Sequence, residues 1–367
     1  MPNATIECRG VWKIFGDREH EALDAIRSRG IGKRGVFSEF GCVVGVRDVS
    51  FEVAEGEIFC IMGLSGSGKS TLIRHVNRLI DPSAGEVLVE GVDVNSLAPD
   101  ALRELRSGKI GMVFQNMALL PHRSVRDNVA LGLELRGVDK VARNATAEST
   151  LERVDLAGWG ERYPDELSGG MKQRVGLARA LAADPHILLM DEPFSALDPL
   201  IRRELQGEFM TLASQMNKTT LFITHDLDEA IRIGRRIAIM KDGMFVQIGT
   251  PEDIVTNPKD DYVADFVAGI SKLTLVTARK IMESPQTHAA THGPIDQAAC
   301  PTAAPDDNLD RLVDLAAGSR HPIVVVADGE AVGIVTNQAL LRGIQGRRPA
   351  SGPTATAGGE QGVANDG

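Results

Sequence analysis

A chain of 367 residues is long enough for about two domains, each with a core of its own. Its 43% apolar and 25% charged residues are an ordinary globular composition, and a net charge of -10 excludes the broad basic field of a duplex-binding protein. Cys8, Cys42, Cys60 and Cys300 are scattered without C-x-x-C spacing behind an N-terminus with no signal-like pattern, which predicts a reducing compartment and neither disulfides nor zinc. With no run of about 18 apolar residues, any role at a membrane is expected to go through a partner.

From the N-terminus, residues 3–16 read as a first strand closing on Trp12-Lys13-Ile14-Phe15-Gly16. Residues 17–45 break that pattern. A charged segment with Leu23 and Ile26 at helical spacing runs into a Gly-rich stretch, predicting a helical insertion before a strand from Val46 to Val53. Glu57-Ile58-Phe59-Cys60-Ile61-Met62 has the length of a buried strand. It leads into Gly63-Leu64-Ser65-Gly66-Ser67-Gly68-Lys69-Ser70-Thr71, a match to the phosphate-loop pattern G-x-x-x-x-G-K-[ST]. Gly63, Gly66 and Gly68 permit positive φ and close backbone approach, so successive N–H groups can point at phosphate oxygens at the positive end of the next helix. Lys69 is then placed to reach the β and γ phosphates, and Ser70 to ligate Mg²⁺. Leu72, Val76, Leu79 and Ile80 keep helical spacing up to Asp81-Pro82, which predicts a helix of that length. By itself the loop specifies a nucleoside triphosphate, expected to be ATP, and no reaction. An aromatic at the end of the first strand, upstream of such a loop, reads either as a platform for adenine or as a half-buried strand residue.

Gly85 to Gly91 alternates like an edge hairpin, and Lys109 to Phe114 is an apolar strand ending at Gln115. From Pro121 to about Tyr163 the spacing turns helical, with Val125, Val129 and Leu133 on one helix and Ala147, Leu151 and Val154 on another. This predicts a helical subdomain at about 118–165 set into an α/β core. Leu167-Ser168-Gly169-Gly170-Met171 then opens a helix, where Ser168 serves either as a plain N-cap or as part of an anion site of hydroxyl, bare amides and dipole. The buried strand Ile187-Leu188-Leu189-Met190 terminates in Asp191-Glu192, two acids at the carboxyl end of a parallel strand, where open α/β sheets hold ligands. In that position Asp191 would hold Mg²⁺ through water, and Glu192 would orient or deprotonate an attacking water. The strand from Thr219 to Thr224 ends in His225, either structural or facing the γ-phosphate. A hairpin over Asp242-Gly243 and two helices, 251–257 and 260–268, complete the unit near Gly269.

Taken together, residues 3–270 resemble the ABC-transporter ATPase family: the P-loop at 63–71, Gln115, the signature at 167–171, the Walker B strand with Glu192, and His225 occur in the family's order. The resemblance implies an α/β P-loop NTPase (RecA-like) core with antiparallel β and helical subdomains. It further implies a head-to-tail homodimer in which the P-loop of one subunit and Ser168-Gly169-Gly170 of the other sandwich ATP. On that scheme Phe15 stacks on adenine, Gln115 senses Mg²⁺ and the lytic water, Asp198 contacts the partner subunit and His225 holds the γ-phosphate. Met171 departs from the Gln usual in the wider family, but the γ-phosphate contacts come from the Ser and Gly positions.

A narrower resemblance, to the bacterial importers of glycine betaine, proline and choline, rests on the insertion after Phe15, on Ile61-Met62-Gly63-Leu64-Ser65, on the signature, on Phe194-Ser195-Ala196-Leu197-Asp198-Pro199-Leu200-Ile201-Arg202 and on His225-Asp226-Leu227-Asp228-Glu229-Ala230. It implies an energy-coupling ATPase, peripheral on the cytoplasmic face of the inner membrane, with transmembrane permease subunits, an extracytoplasmic substrate-binding protein and no nucleic acid. The osmolyte itself would never touch this chain. Other readings are an importer of another small solute such as an amino acid, a soluble ABC ATPase acting on ribosomes or DNA, and a nucleotide-gated regulator. The soluble class usually fuses two ATPase domains or carries long coiled coils, and intact Glu192 and His225 speak against the regulator.

Residues 271–345 read as a smaller α+β unit. Thr277-Ala278-Arg279-Lys280-Ile281-Met282, the helix of Leu309, Leu312, Val313, Leu315 and Ala316, and a strand pair across Asp328-Gly329 resemble one CBS motif. One copy is recognisable, interrupted by a low-complexity stretch from Ser284 to Asp307, and Ala339 replaces the usual ribose-binding Asp. A structural or dimerising remnant is therefore expected ahead of a nucleotide sensor. His288, His292 and His321 are too far apart in sequence for a metal claim, and residues 346–367, rich in Gly, Ala and Pro, are expected to be disordered.

Overall fold

The structure, a computed structural model, describes residues 4–345. They fall into two compact units, one running to Ile254 with Pro258–Ala268 added, the other made of Val255–Asn257 and the chain from Gly269.

In the first unit β1 (Ala4–Phe15) leads to the helix pair α1 (Glu19–Arg29) and α2 (Lys33–Phe40) and returns along β2 (Val43–Ala54). The two helices bury Ala22, Leu23, Ile26 and Val36 against Trp12, Ile14, Cys42 and Val44, so the insertion has a small core of its own. β2 starts at Val43, three residues before the predicted Val46, because Phe15 and Ile14 pair with Val43 and Val44 across the antiparallel ladder. Next come β3 (Ile58–Met62), α3 (Lys69–Val76), β4 (Ala84–Val89), β5 (Val92–Asp93), α4 (Pro99–Gly108) and β6 (Ile110–Val113). The predicted extension of α3 to Ile80 is corrected: the helix stops at Val76, and Leu79 is half exposed. Local hydrogen bonds compete with the helix there. The Asn77 side chain accepts from Leu79 N–H, Arg78 sits at φ 50, and its guanidinium donates to the carbonyls of Val94 and Leu97.

The helical subdomain contains α5 (Val125–Val129), α6 (Leu131–Leu135) and α7 (Lys140–Arg153). Val125, Val129 and Leu133 are thus divided between two short helices meeting at Ala130, and all three are buried. The chain re-enters the core through α8 (Gly169–Ala182), β7 (Ile187–Asp191), α9 (Pro199–Gln215), β8 (Thr219–Thr224), α10 (Leu227–Ile233), β9 (Arg236–Lys241) and β10 (Met244–Gly249), then α11 (Pro251–Thr256) and α12 (Asp261–Val267). β2, β1, β4 and β5 form one antiparallel sheet; β10, β9, β3, β8, β7 and β6 form the other, parallel except for the β9–β10 hairpin. Ile61, Leu189, Leu221 and Ile223 from the parallel strands pack with Val11, Val46 and Phe51 into one core. β7 and β8 are buried along their whole length, as a parallel sheet covered on both faces requires.

The second unit has α13 (Ala278–Ile281), α14 (Pro285–His292), β11 (Thr302–Ala303), α15 (Leu309–Ala317), β12 (Ile323–Ala327), β13 (Glu330–Val335) and α16 (Asn337–Gln345), around a core of Val276, Leu309, Leu312, Ile323, Val325, Val335 and Leu340. β11 pairs parallel to β12, which pairs antiparallel to β13. The low-complexity stretch is in part helical: Ser284 caps α14 by accepting from Thr287 N–H, and His288 is buried. The spacing argument against histidine clustering is corrected in part. His288 and His292 lie one helical turn apart with ring centres 4.9 Å from each other, Glu283 accepts or shares a proton with His288 Nδ1 at 2.7 Å, and one ligand atom from each of the three falls within 4.8 Å of the others. His321 is not in this group. The predicted disordered tail lies outside the described residues. Among those described, no helix is long and apolar enough to cross a membrane.

Candidate functional site

Because β3, β8, β7 and β6 are neighbours and parallel, their carboxyl ends open along one edge, and the residues that follow them are brought together. The phosphate-loop sequence follows Met62, Gln115 follows β6, Asp191 ends β7 and His225 follows β8. In the loop Gly63 has φ 154 and Gly68 φ 108. A Cβ on Gly63 would run into the Met240 carbonyl, and one on Gly68 into the Gly45 carbonyl, so β9 and β2 press directly on the loop backbone. The β9–β10 turn buttresses it further: Gly243 N–H donates to the Ser67 carbonyl at 2.9 Å, and Arg47 N–H to the Gly243 carbonyl at 2.8 Å.

Lys69, first residue of α3, is almost wholly buried and donates through Nζ to the carbonyls of Gly63 (2.8 Å) and Leu64 (3.2 Å). Glu192 Oε1 lies 3.6 Å from the same Nζ. Burial pulls the Lys69 pKa below the usual lysine value, with the Glu192 charge acting against the shift. Ser67 Oγ is buried without a partner among the described residues, inside the loop and not on the cavity lining. Ser70 Oγ donates to Asp191 Oδ1 at 2.8 Å, and Arg74 reaches Asp191 Oδ2 at 3.3 Å, so a buried carboxylate is held by two groups from one face of α3. Glu192 adopts φ 47, and its N–H donates to the Ile223 carbonyl at 3.0 Å. A left-handed conformation in a non-glycine residue costs about 1–2 kcal/mol. Here it belongs to a carboxylate held between Lys69 and His225 Nδ1, the latter 2.9 Å from Oε2.

These groups border a cavity of about 1030 Å³. Of the residues predicted for the site, Phe15, Leu64, Ser65, Gly66, Gly68, Lys69, Ser70, Thr71, Gln115, Glu192 and His225 line it. Gly63 and Ser67 lie behind the lining, and Asp191 connects to it through Ser70. Ser168, Gly169 and Gly170 do not line it. Ser168 caps α8 by accepting from Met171 N–H at 3.3 Å, and it and Gly169 are exposed to solvent. Asp198 likewise caps α9, accepting from the N–H groups of Leu200 and Ile201. Lys33, Arg34 and Phe37 of α2 line the cavity although sequence reasoning assigned the insertion no role. Arg74 was also missed, and its position one turn after Ser70 was the available signal.

The phosphate group fits this loop on two observations: glycines where a Cβ would collide, and a buried lysine at the cavity whose burial disfavours its charge until an anion arrives. The family pattern described as ABC transporter matches residues 46–195. The glycine betaine transport ATP-binding protein OpuAA of Bacillus subtilis is 52% identical over 289 residues, covering 79% of this chain and 69% of its own length. The trimethylamine N-oxide transport system ATP-binding protein TmoW of Ruegeria pomeroyi is 44% identical over 342 residues, 93% of this chain and 97% of that protein. Among solved structures, a dimeric ATP-binding cassette in a post-hydrolysis state bound to ADP and Pi is 31% identical with a TM-score of 0.57, covering 67% of this chain and 98% of that one. Identity at this level over this much of both chains is common descent of the whole cassette, and the chain belongs to the ABC transporter ATP-binding proteins, the transport-coupled ATPases.

Proposed function

We propose that this chain is the ATP-hydrolysing, energy-coupling subunit of a bacterial importer of quaternary amines such as choline, glycine betaine or proline betaine. The observation that carries the catalytic half of this reading is the division of the motifs. The phosphate loop, Gln115, Glu192 and His225 share one cavity, while Ser168, Gly169 and Gly170 stand outside it, the first two exposed and Gly170 half-buried. A second copy docked head to tail would bring its signature over the open side, so ATP is closed between two subunits. The substrate class is supported by the named functions of the relatives. TmoW, which matches nearly the whole chain, favours trimethylamine N-oxide as a second reading, another small methylated amine.

In this mechanism the loop amides and Lys69 bind the phosphates, and Lys69 exchanges its carbonyl contacts for phosphate oxygens. Ser70 and Asp191 would hold Mg²⁺, with Gln115 beside it; the ion, when bound, screens charge building on the phosphates. Glu192 orients the attacking water and takes its proton, and His225, hydrogen-bonded to the same carboxylate, positions Glu192 and faces the γ-phosphate. Phe15, 40% exposed at the cavity mouth, stacks on adenine. The chain works at the cytoplasmic face of the inner membrane, coupled to permease subunits and through them to an extracytoplasmic binding protein. The unit from Gly269 is a single CBS-like module with a structural or dimerising task.

Glu192→Gln is expected to keep ATP binding, abolish turnover and accumulate a dimer in size-exclusion chromatography with ATP. Normal turnover would remove Glu192 from the base role. Stimulation of the reconstituted complex's ATPase by a panel of choline, betaines, trimethylamine N-oxide and amino acids tests the substrate class; a response to amino acids alone would overturn it.

A further inference from the structure

We propose that the helical insertion is the second wall of the nucleotide site, with Phe37 covering the base that Phe15 stacks on. This rests on the reading of the cavity as an ATP site and adds a base-recognition element from outside the phosphate loop and strand ends. Phe37 is 63% exposed, a large apolar side chain that its own fold leaves uncovered. Its neighbour Val36 is fully buried in the insertion's core, which fixes the rotation of α2 and turns Phe37 toward the cavity it lines. Phe15 is 40% exposed on the same cavity, and its ring lies so close to Gly45 that a Cβ there would stand 2.8 Å from Cε2. Two exposed aromatics on one cavity beside a phosphate loop are the chemistry that recognises a flat purine, since every base has a π face to offer.

α2 is also tied to the phosphate end of the site. Lys33 Nζ lies 3.4 Å from Asp242 Oδ1, in the turn whose Gly243 donates to the Ser67 carbonyl of the loop. The insertion thus reaches the same turn that buttresses the loop. Arg34, exposed on the same helix, lines the cavity and adds positive charge on the α2 side.

The test compares two ligands by calorimetry on the full-length untagged chain: a non-hydrolysable ATP analogue with Mg²⁺, and inorganic tripolyphosphate, which has no base. Phe37→Ala is expected to weaken the analogue about tenfold, the loss of ~1.4 kcal/mol, and to leave tripolyphosphate within about twofold. Phe37→Trp should restore the analogue. Thermal melting of Phe37→Ala should match the parent, because the side chain is exposed. Unchanged analogue binding in Phe37→Ala overturns the proposal, as does equal weakening of both ligands, which would mean that the loop had been disturbed. Lys69→Ala separates the underlying reading from this one. If it binds both ligands like the parent chain, the phosphate-loop assignment fails, whereas loss of both with a null effect of Phe37→Ala sinks the second wall alone.

Discussion

Alanine at Gly66 and at Gly68 gives two substitutions of identical chemistry, two residues apart in one loop, for which the structure demands different costs. Gly66 has φ 77, and no atom lies within 4 Å of an added Cβ, so Gly66→Ala carries backbone strain alone, about 1 kcal/mol. Gly68 has φ 108, further from any conformation that alanine adopts, and the strain there is about 1–3 kcal/mol. Its Cβ would also press on the Gly45 carbonyl and stand 3.0 Å from Met240 Cε, and moving β2 or β9 adds about 1–3 kcal/mol. At about 2–4 °C per kcal/mol for a unit of this size, Gly66→Ala should lower Tm by about 2–4 °C and Gly68→Ala, at about 2–6 kcal/mol in all, by about 4–24 °C. Both tryptophans, Trp12 and Trp159, lie in the first unit, so fluorescence-detected melting follows that unit without interference from the second. Ligand binding should rank differently. The Gly66 Cβ points into open space on the cavity wall, so Gly66→Ala should weaken tripolyphosphate with little loss of stability. Equal melting shifts, or a Gly68→Ala chain as stable as the parent, would refute the claim that β2 and β9 set the loop.

Asp184→Asn should destabilise the first unit by about 1 kcal/mol near neutral pH, a modest figure because the aspartate is exposed and screened although its partner Lys218 is buried. The hydrogen bond from Lys218, 2.6 Å long, holds Asp184 below its ordinary pKa. A depressed carboxylate contributes fully above its unfolded value and loses that contribution as pH falls through the folded one, so urea midpoints of parent and variant should converge below about pH 4. A gap that persists or widens in acid would contradict the pairing. Cys8 and Cys60 are buried, and burial pushes both thiols far above the ordinary cysteine range. Neither should react with a thiol reagent at pH 8 until urea is added; rapid native labelling at either position would show that the strands open.

What sequence alone determined is the set of features carried by neighbouring residues. Gly63 to Thr71 was legible because its glycine backbone, lysine and hydroxyl lie within one short run and need only a strand before and a helix after. Asp191, Glu192 and His225 were legible as polar residues ending apolar runs, and parallel strands gather such ends at one edge. Tertiary structure decided where local patterns conflict or stay silent. α3 stops at Val76 because Asn77 and Arg78 find hydrogen-bond partners that no helical spacing reveals, those of Arg78 being the carbonyls of Val94 and Leu97. His288 and Glu283 meet because the start of the low-complexity stretch winds into α14. Phe37 belongs to the cavity through the burial of Val36 and the reach of Lys33 to Asp242, a pair 209 positions apart. A side chain's neighbours across such a distance depend on how the sheet brings β2 and β9 to the same loop, and only the folded chain contains that information.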